Sequence, residues 1–182
     1  MSAGGRIRHP LEGKLVRLRA PEPEDAARLN PLFNDPEVLA GLSFPFPQPV
    51  SGFEEWIRTS RTSDSEVNLI IETLDGEPIG GCGLRFLNLR NRSANLGIWI
   101  GKPHWNHGYG TDAVRTLCRF AFRHLNLHRI DLHVYATNPR AIRSYEKVGF
   151  QQEGTLREAQ FVGGQHVDEY VMGLLAHELI DQ

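Results

Sequence analysis

Residues 93 to 150 constrain the fold of this chain more than any other stretch. "SANLGIWIG" (93–101) reads as a strand, seven irregular residues follow, and a helix then occupies about 110–125 with Val114, Leu117, Ala121 and Leu125 on its apolar face. "RIDLHVYA" (129–136) is a further strand. "NPRAIRSYEKVGF" (138–150) is a helix with both ends marked: Asn138 as N-cap, Pro139 in the first turn, Gly149 as the C-terminal stop. A strand–loop–helix–strand–helix run of this kind commits the chain to a sheet that carries packed helices.

The flanks extend that sheet. "KLVRLRA" (14–20) is a strand candidate, and "PEPEDAARLNPLFND" then places Ala26, Leu29, Leu32 and Phe33 at helical spacing. "GLSFPFPQPVSG" (41–52) holds three prolines and forms neither a regular helix nor a central strand. Ser51 is the expected cap of a helix carrying Phe53, Trp56 and Ile57. "VNLIIETL" (67–74) and "EPIGGCGLRFL" (77–87) flank Asp75-Gly76, a hairpin signal, and Gly80, Gly81 and Gly83 suggest a bulge or a close backbone approach. Two last strands, about 150–162 and 165–175, surround Gly163-Gly164. The expected fold is one mixed α/β (α+β) domain over 1–182 with residues 1–12 as a flexible N-terminus, not the regular alternation of a doubly wound sheet.

Bulk properties narrow the function. A net charge of −2 gives no reason to expect a nucleic-acid partner. The two cysteines, Cys82 and Cys118, form no CxxC, and the histidines are scattered, so neither a disulfide framework nor a metal site is indicated. Cys118 falls on the apolar side of its helix and reads as core. No run approaches the roughly 18 apolar residues of a membrane span, and the N-terminus lacks a signal-peptide core, so a cytoplasmic protein is expected.

Residues 108–113 spell Gly-Tyr-Gly-Thr-Asp-Ala, a G-x-G-x-x-A match that can mark a dinucleotide site. Its context argues against that reading, because a dinucleotide glycine turns directly off its strand and here seven residues intervene. A phosphate-binding Walker loop is excluded, since no Gly-Lys-Ser/Thr follows. Two readings stay open from the loop alone: a plain strand-to-helix connection, or a short pyrophosphate cradle of backbone amides at a helix N-terminus.

Beyond the loop, 93–150 resembles the core of the GCN5-related N-acetyltransferases (GNAT). "HWNHGYGTDAV" (104–114) is similar to the family's pyrophosphate loop, Arg/Gln-x-x-Gly-x-Gly/Ala. Asn138, Ala141, Tyr145, Gly149 and Phe150 match its helix signature, and Glu153-Gly154 with the Gly-Gly hairpin resembles the subgroup acting on ribosomal-protein N-termini and spermidine. The chain departs from the family pattern twice: Trp105 replaces Arg or Gln, as is common in the ribosomal-protein subgroup, and Asn95 replaces a frequent glutamate, which removes a convenient general base.

The resemblance implies a mostly antiparallel sheet of about seven strands with four helices, splayed beside the cofactor. It implies acetyl-CoA as acyl donor, no metal, and an amine acceptor, either a peptide N-terminus or a small amine. Homodimers are frequent among such relatives. Ile98 and Ile100 would offer main-chain groups to the pantetheine. Trp105, Asn106, His107, Gly108, Tyr109, Gly110 and Thr111 would hold the pyrophosphate, with Gly108 and Gly110 in dihedrals open to glycine. Asn138 would cap its helix and touch the cofactor, and Tyr145 would donate a proton to the leaving sulfur. Glu158, with Gln160 on the same face two residues later, is the first candidate for the base, and Asp168 the second. The expected acceptor wall is the Phe44–Pro49 loop, the 51–60 helix and the final hairpin. Rival readings are a polyamine acetyltransferase and a non-catalytic acyl-CoA sensor.

Overall fold

A computed structural model describes residues 9–42, 46–60 and 65–181. Its strands are β1 (Val16–Arg19), β2 (Val67–Thr73), β3 (Pro78–Asn88), β4 (Ser93–Ile100), β5 (Arg129–Tyr135), β6 (Gln151–Val162) and β7 (Gln165–Leu175). The helices are α1 (Asp25–Phe33), α2 (Pro36–Leu39), α3 (Val50–Ser60), α4 (Tyr109–His124) and α5 (Pro139–Glu146). One sheet results, in the order β1-β2-β3-β4-β5-β7-β6. Only β4 and β5 run parallel; every other pair is antiparallel. This is the mixed, mostly antiparallel sheet expected, and it rules out the parallel architecture of a dinucleotide fold.

Local chemistry accounts for the joints. Gly163 and Gly164 take φ of 59° and 84°, which a two-residue hairpin turn requires. Both expectations for the glycines of β3 are met: the β2–β3 register shifts beside Gly80, between Ile71 and Glu72, and the backbones approach closely. A Cβ on Gly80 would lie 2.2 Å from the Trp99 carbonyl oxygen, and one on Gly83 would lie 2.4 Å from that of Val67. At α3 the expected cap is displaced: the helix starts at Val50, the Gly52 amide donates to the Pro49 carbonyl, and Ser51 is already helical. The N-terminal expectation also changes, because residues 9–12 are held. The Leu18 amide donates to the Leu11 carbonyl (2.8 Å), and the Arg119 guanidinium donates to the Glu12 carbonyl (2.9 Å).

The sheet has two covered faces. On one, Leu84, Leu96, Ile130, Leu132 and Met172 pack with Leu117 of α4 and with Tyr145 and Val148. On the other, Ile70 and Trp99 pack with Ala26 and Leu29 of α1 and with Phe53 and Ile57 of α3. Buried polar groups tie the layers together. The Asp112 carboxylate accepts from the amides of Leu15 (2.7 Å) and Val16 (3.1 Å), joining α4 to β1. Arg19 forks onto Asp25 with two bonds of 2.7 Å and also reaches Glu72, joining β1, β2 and α1. Burial alone would raise the Asp25 pKa; the Arg19 fork and the Glu22 amide outweigh it and hold the carboxyl below its ordinary value. Among the described residues no helix is long and apolar enough to cross a membrane.

Candidate active site

The site begins where the sheet opens. β4 and β5 pair over three rungs, Ser93↔Arg129, Ala94↔Ile130 and Asn95↔Asp131, and then separate although both continue. Beyond that point β4 stays paired with β3 on its other side, out to Gly80↔Ile100. The Gly101 amide donates to the Ile79 carbonyl (2.9 Å), so odd-numbered residues exchange bonds with β3. The main-chain groups of Leu96, Ile98 and Ile100 therefore turn toward the gap. An open cleft of about 1110 Å³ passes through this gap and is lined from both faces of the sheet.

On the α4/α5 side the cleft meets a helix N-terminus. Gly108 stands before α4 with φ of 83°, and no side chain caps the helix. The first helical bond runs from the Asp112 amide to the Gly108 carbonyl (3.0 Å), which leaves the amides of Tyr109, Gly110 and Thr111 without partners among the described residues. The expectation for Gly110 is corrected. It is helical with no positive φ, and a Cβ there would meet only the Ile100 side chain, at 3.5 Å; the left-handed positions are Gly108 and Asn106, at φ of 65°. Asn106 lines the cleft, whereas the His107 side chain lies outside the lining and stacks on Tyr109 (5.8 Å between centroids).

Trp105 clasps the loop. Its indole N–H donates to the Ile100 carbonyl (2.7 Å), and the Arg140 guanidinium lies 3.3 Å above the ring centroid. One residue thereby joins the end of β4, the glycine loop and the first turn of α5. Two expected ligand groups, that indole N–H and the Ile100 carbonyl, are occupied by each other. At α5, Asn138 Oδ1 accepts from the Ala141 amide (3.2 Å) as the cap. Its Nδ2 has no partner among the described residues, and Asn138 lines the cleft.

Tyr145 is buried (8% exposed) beside Phe150 and also lines the cleft. Its hydroxyl has no partner among the described residues, yet it is not among the sealed, unpaired polar atoms of the core. Burial pushes its pKa up to about 12, while nearby Arg140 pulls it down. Burial likewise pushes the Cys82 thiol up to about 12 and raises that of Cys118, so neither is a ready nucleophile.

The other side of the gap differs from expectation. Glu158 is exposed, at φ of 52°, in the irregular stretch of β6 between Leu156 and Gln160, and it is not part of the cleft lining. Asp168 accepts the Glu158 amide (2.9 Å) and is not part of the lining either. The carboxylates that reach the cleft are Glu37 and Glu169, neither of which the sequence singles out. Phe46 is 66% exposed and outside the lining, while Phe44 and Pro45 lie outside the described residues. The 51–60 helix lines the cleft as expected, through Gly52, Phe53 and Trp56, and so do Gln48 of the loop and Val162 of the final hairpin; Phe33 and Trp99 complete the aromatic wall, in edge-on contact (Phe33–Trp99 centroids 5.1 Å). The floor is Gly81, Gly83 and Gly97; a Cβ added at Gly97 would meet nothing within 4 Å. Asn95, also lining the cleft, donates through Nδ2 to Asp131 Oδ1 (2.8 Å).

Unused amides at a helix N-terminus suit an anion, and the free edge of β4 suits a ligand carrying amides of its own. Acetyl-CoA, with a pyrophosphate and a pantetheine arm, has both. Among the described residues no cluster of His, Cys, Asp and Glu could hold a metal.

Comparison with known proteins agrees with this geometry. The acetyltransferase (GNAT) domain family matches residues 16–151. The uncharacterized N-acetyltransferase p20 of Bacillus licheniformis is 32% identical over 90% of this chain and 94% of its own length. The putative ribosomal N-acetyltransferase YdaF of Bacillus subtilis is 31% identical over 90% of this chain and 92% of its own. The crystal structure of spermidine N-acetyltransferase from Vibrio cholerae in complex with CoA and spermine superposes with a TM-score of 0.82 at 29% identity, covering 90% of this chain and 96% of that one. The chain thus belongs to the GNAT acetyltransferase family and is an N-acetyltransferase that draws its acyl group from acetyl-CoA.

Proposed function

We propose that the protein acetylates a single primary amine, such as a peptide N-terminus, by direct attack while acetyl-CoA and acceptor are bound together. Bound acetyl-CoA supplies the activated acetyl thioester. The amides of Tyr109, Gly110 and Thr111 hold its pyrophosphate and the main chain of Ile98 its pantetheine arm, while Asn138 Nδ2 adds a donor. Trp105 and Arg140 brace the loop, and Tyr145 holds the proton for the departing sulfur. The acceptor enters from the α1/α3 side over the glycine floor.

The observation that carries the acceptor assignment is the composition of that half of the cleft. It is aromatic and amide-lined, and its lining carboxylates are engaged: Glu37 pairs with Lys102, and Glu169 with His133 and Gln160. A polycation gains most from free carboxylates, and a lone amine needs few. Acetylation of a polyamine is the second reading, favoured by the spermidine-acetylating relative. That relative family also includes a dodecameric structure, which supports self-association here, at least to a dimer.

An acceptor panel of N-terminal peptides, lysine peptides, spermidine and an aminoglycoside, followed by CoA release, tests the assignment. A peptide N-terminus is expected to exceed spermidine by about tenfold or more in kcat/KM, a difference of about 1.4 kcal/mol in transition-state binding. Spermidine as the preferred acceptor would overturn the reading in favour of the polyamine.

A further inference from the structure

The side chains of β5 alternate: Ile130, Leu132 and Val134 enter the core with α4, and Asp131, His133 and Tyr135 face the other way. His133 lines the cleft with its side chain 45% exposed. Its Nδ1 is 3.1 Å from Glu169 Oε2, and Gln160 Nε2 donates to the other oxygen, Oε1, at 3.1 Å. The Glu169 side chain is 8% exposed, so its carboxylate is fixed between these two donors from β5 and β6. A carboxylate accepts from Nδ1–H and leaves Nε2 with a free lone pair.

The position of this pair is set by register. The β4–β5 rungs end at Asn95↔Asp131, so His133 would next face Gly97, and there the strands have parted. Gly97 is the floor position with open space above it. Asn95 cannot accept a proton. Of the other proton acceptors in the described lining, Glu37 pairs with Lys102, and His104 lies on the loop side near Glu77 (3.8 Å).

Resting on the acceptor reading above, we propose that His133, oriented by Glu169, is the general base of the transfer and that Gln160 is a positioning residue. The acceptor arrives as an ammonium ion. His133 Nε2 takes one proton, the freed nitrogen bonds to the acyl carbon, and the carbon–sulfur bond breaks. The nitrogen loses a second proton as the amide forms. The sulfur takes one from Tyr145, which is reprotonated from water, so the turnover releases one net proton. The charged and titratable groups around His133 are Asp131 and Tyr135 on β5, Glu169 on β7 and Arg85 on β3, with the neutral amides Asn95 and Gln160 beside them.

The test compares two acceptors, benzylamine, cationic at neutral pH, and O-benzylhydroxylamine, uncharged there. His133→Ala is expected to lower kcat with benzylamine by about 10²-fold or more, within the range of positioned proton transfer. With O-benzylhydroxylamine it should cost less than about fivefold, since little of the general-base contribution is needed when the nucleophile is already neutral. The benzylamine loss should shrink as pH rises, and the acetyl-CoA Kd should stay unchanged. Glu169→Gln keeps a hydrogen-bond acceptor and removes the charge beside the imidazole, so it too should slow benzylamine more than O-benzylhydroxylamine. Equal losses with both acceptors, or a benzylamine loss that does not shrink as pH rises, would overturn the assignment. Wild-type turnover of the two acceptors reports separately on the acceptor reading itself.

Discussion

Tyr145→Phe is expected to lower kcat by about 10²-fold or more while the acetyl-CoA Kd changes little. The ring is retained, so its packing against Phe150 and the core survives. What is lost is one hydroxyl that has no partner among the described residues and borders the cleft. Burial holds that phenol at about 12, above its ordinary value of 10.0, so the group that must donate stays protonated through the neutral and mildly alkaline range. Alkaline conditions up to pH 10 should therefore not switch the acid off. A 10²-fold loss corresponds to about 2.7 kcal/mol of transition-state stabilisation. Stopped-flow or steady-state CoA release, under conditions where chemistry limits the rate, makes the measurement. A kcat within about threefold of wild type would reduce Tyr145 to a core residue, with water as the acid.

Gly97→Leu is expected to abolish acceptor use with acetyl-CoA binding intact. The backbone at 97 has no positive φ, and a Cβ meets nothing within 4 Å, so the fold accepts a side chain. That side chain projects onto the glycine floor, the proposed path of the acceptor, opposite His133. Displacing the reacting amine by about 1 Å can cost about 10²-fold in rate, and an isobutyl group fills more than that. Calorimetric titration with acetyl-CoA should give a Kd within about threefold of wild type. A variant that keeps its acceptor kcat/KM would place the acceptor elsewhere.

The two sides of the cleft differed in how far the sequence revealed them. The α4/α5 side is built from contiguous chain: a glycine loop, a helix start and a capped helix, each with local chemistry that can be recognised in order. The Asn138 cap, the left-handed Gly108 and the inward-facing Tyr145 are legible for that reason. Gly110 was misjudged because two glycines in one motif look alike, and only the backbone separates the left-handed one from the helical one.

On the acceptor side, His133, Gln160 and Glu169 lie on three strands and meet only through sheet register. The alternation of Ile130, Leu132 and Val134 did signal that His133 leaves the core. Nothing local marks Glu169. Counting alternate residues along a regular strand puts Glu158 and Gln160 on one face; the irregularity between Leu156 and Gln160 breaks that count, so Gln160 reaches Glu169 while Glu158 faces solvent. α2 escaped notice because four residues carry no helical period.

Acyl donor and acceptor are expected to meet through the gap between β4 and β5, with no acyl group resting on the protein. Both cysteines are buried with raised thiol pKa values, so neither is a ready acyl carrier. Initial rates across a matrix of acetyl-CoA and acceptor concentrations test this most directly. The account predicts intersecting double-reciprocal lines and no stoichiometric burst of CoA when acceptor is omitted. Parallel lines with such a burst would reveal an acetylated enzyme and contradict it.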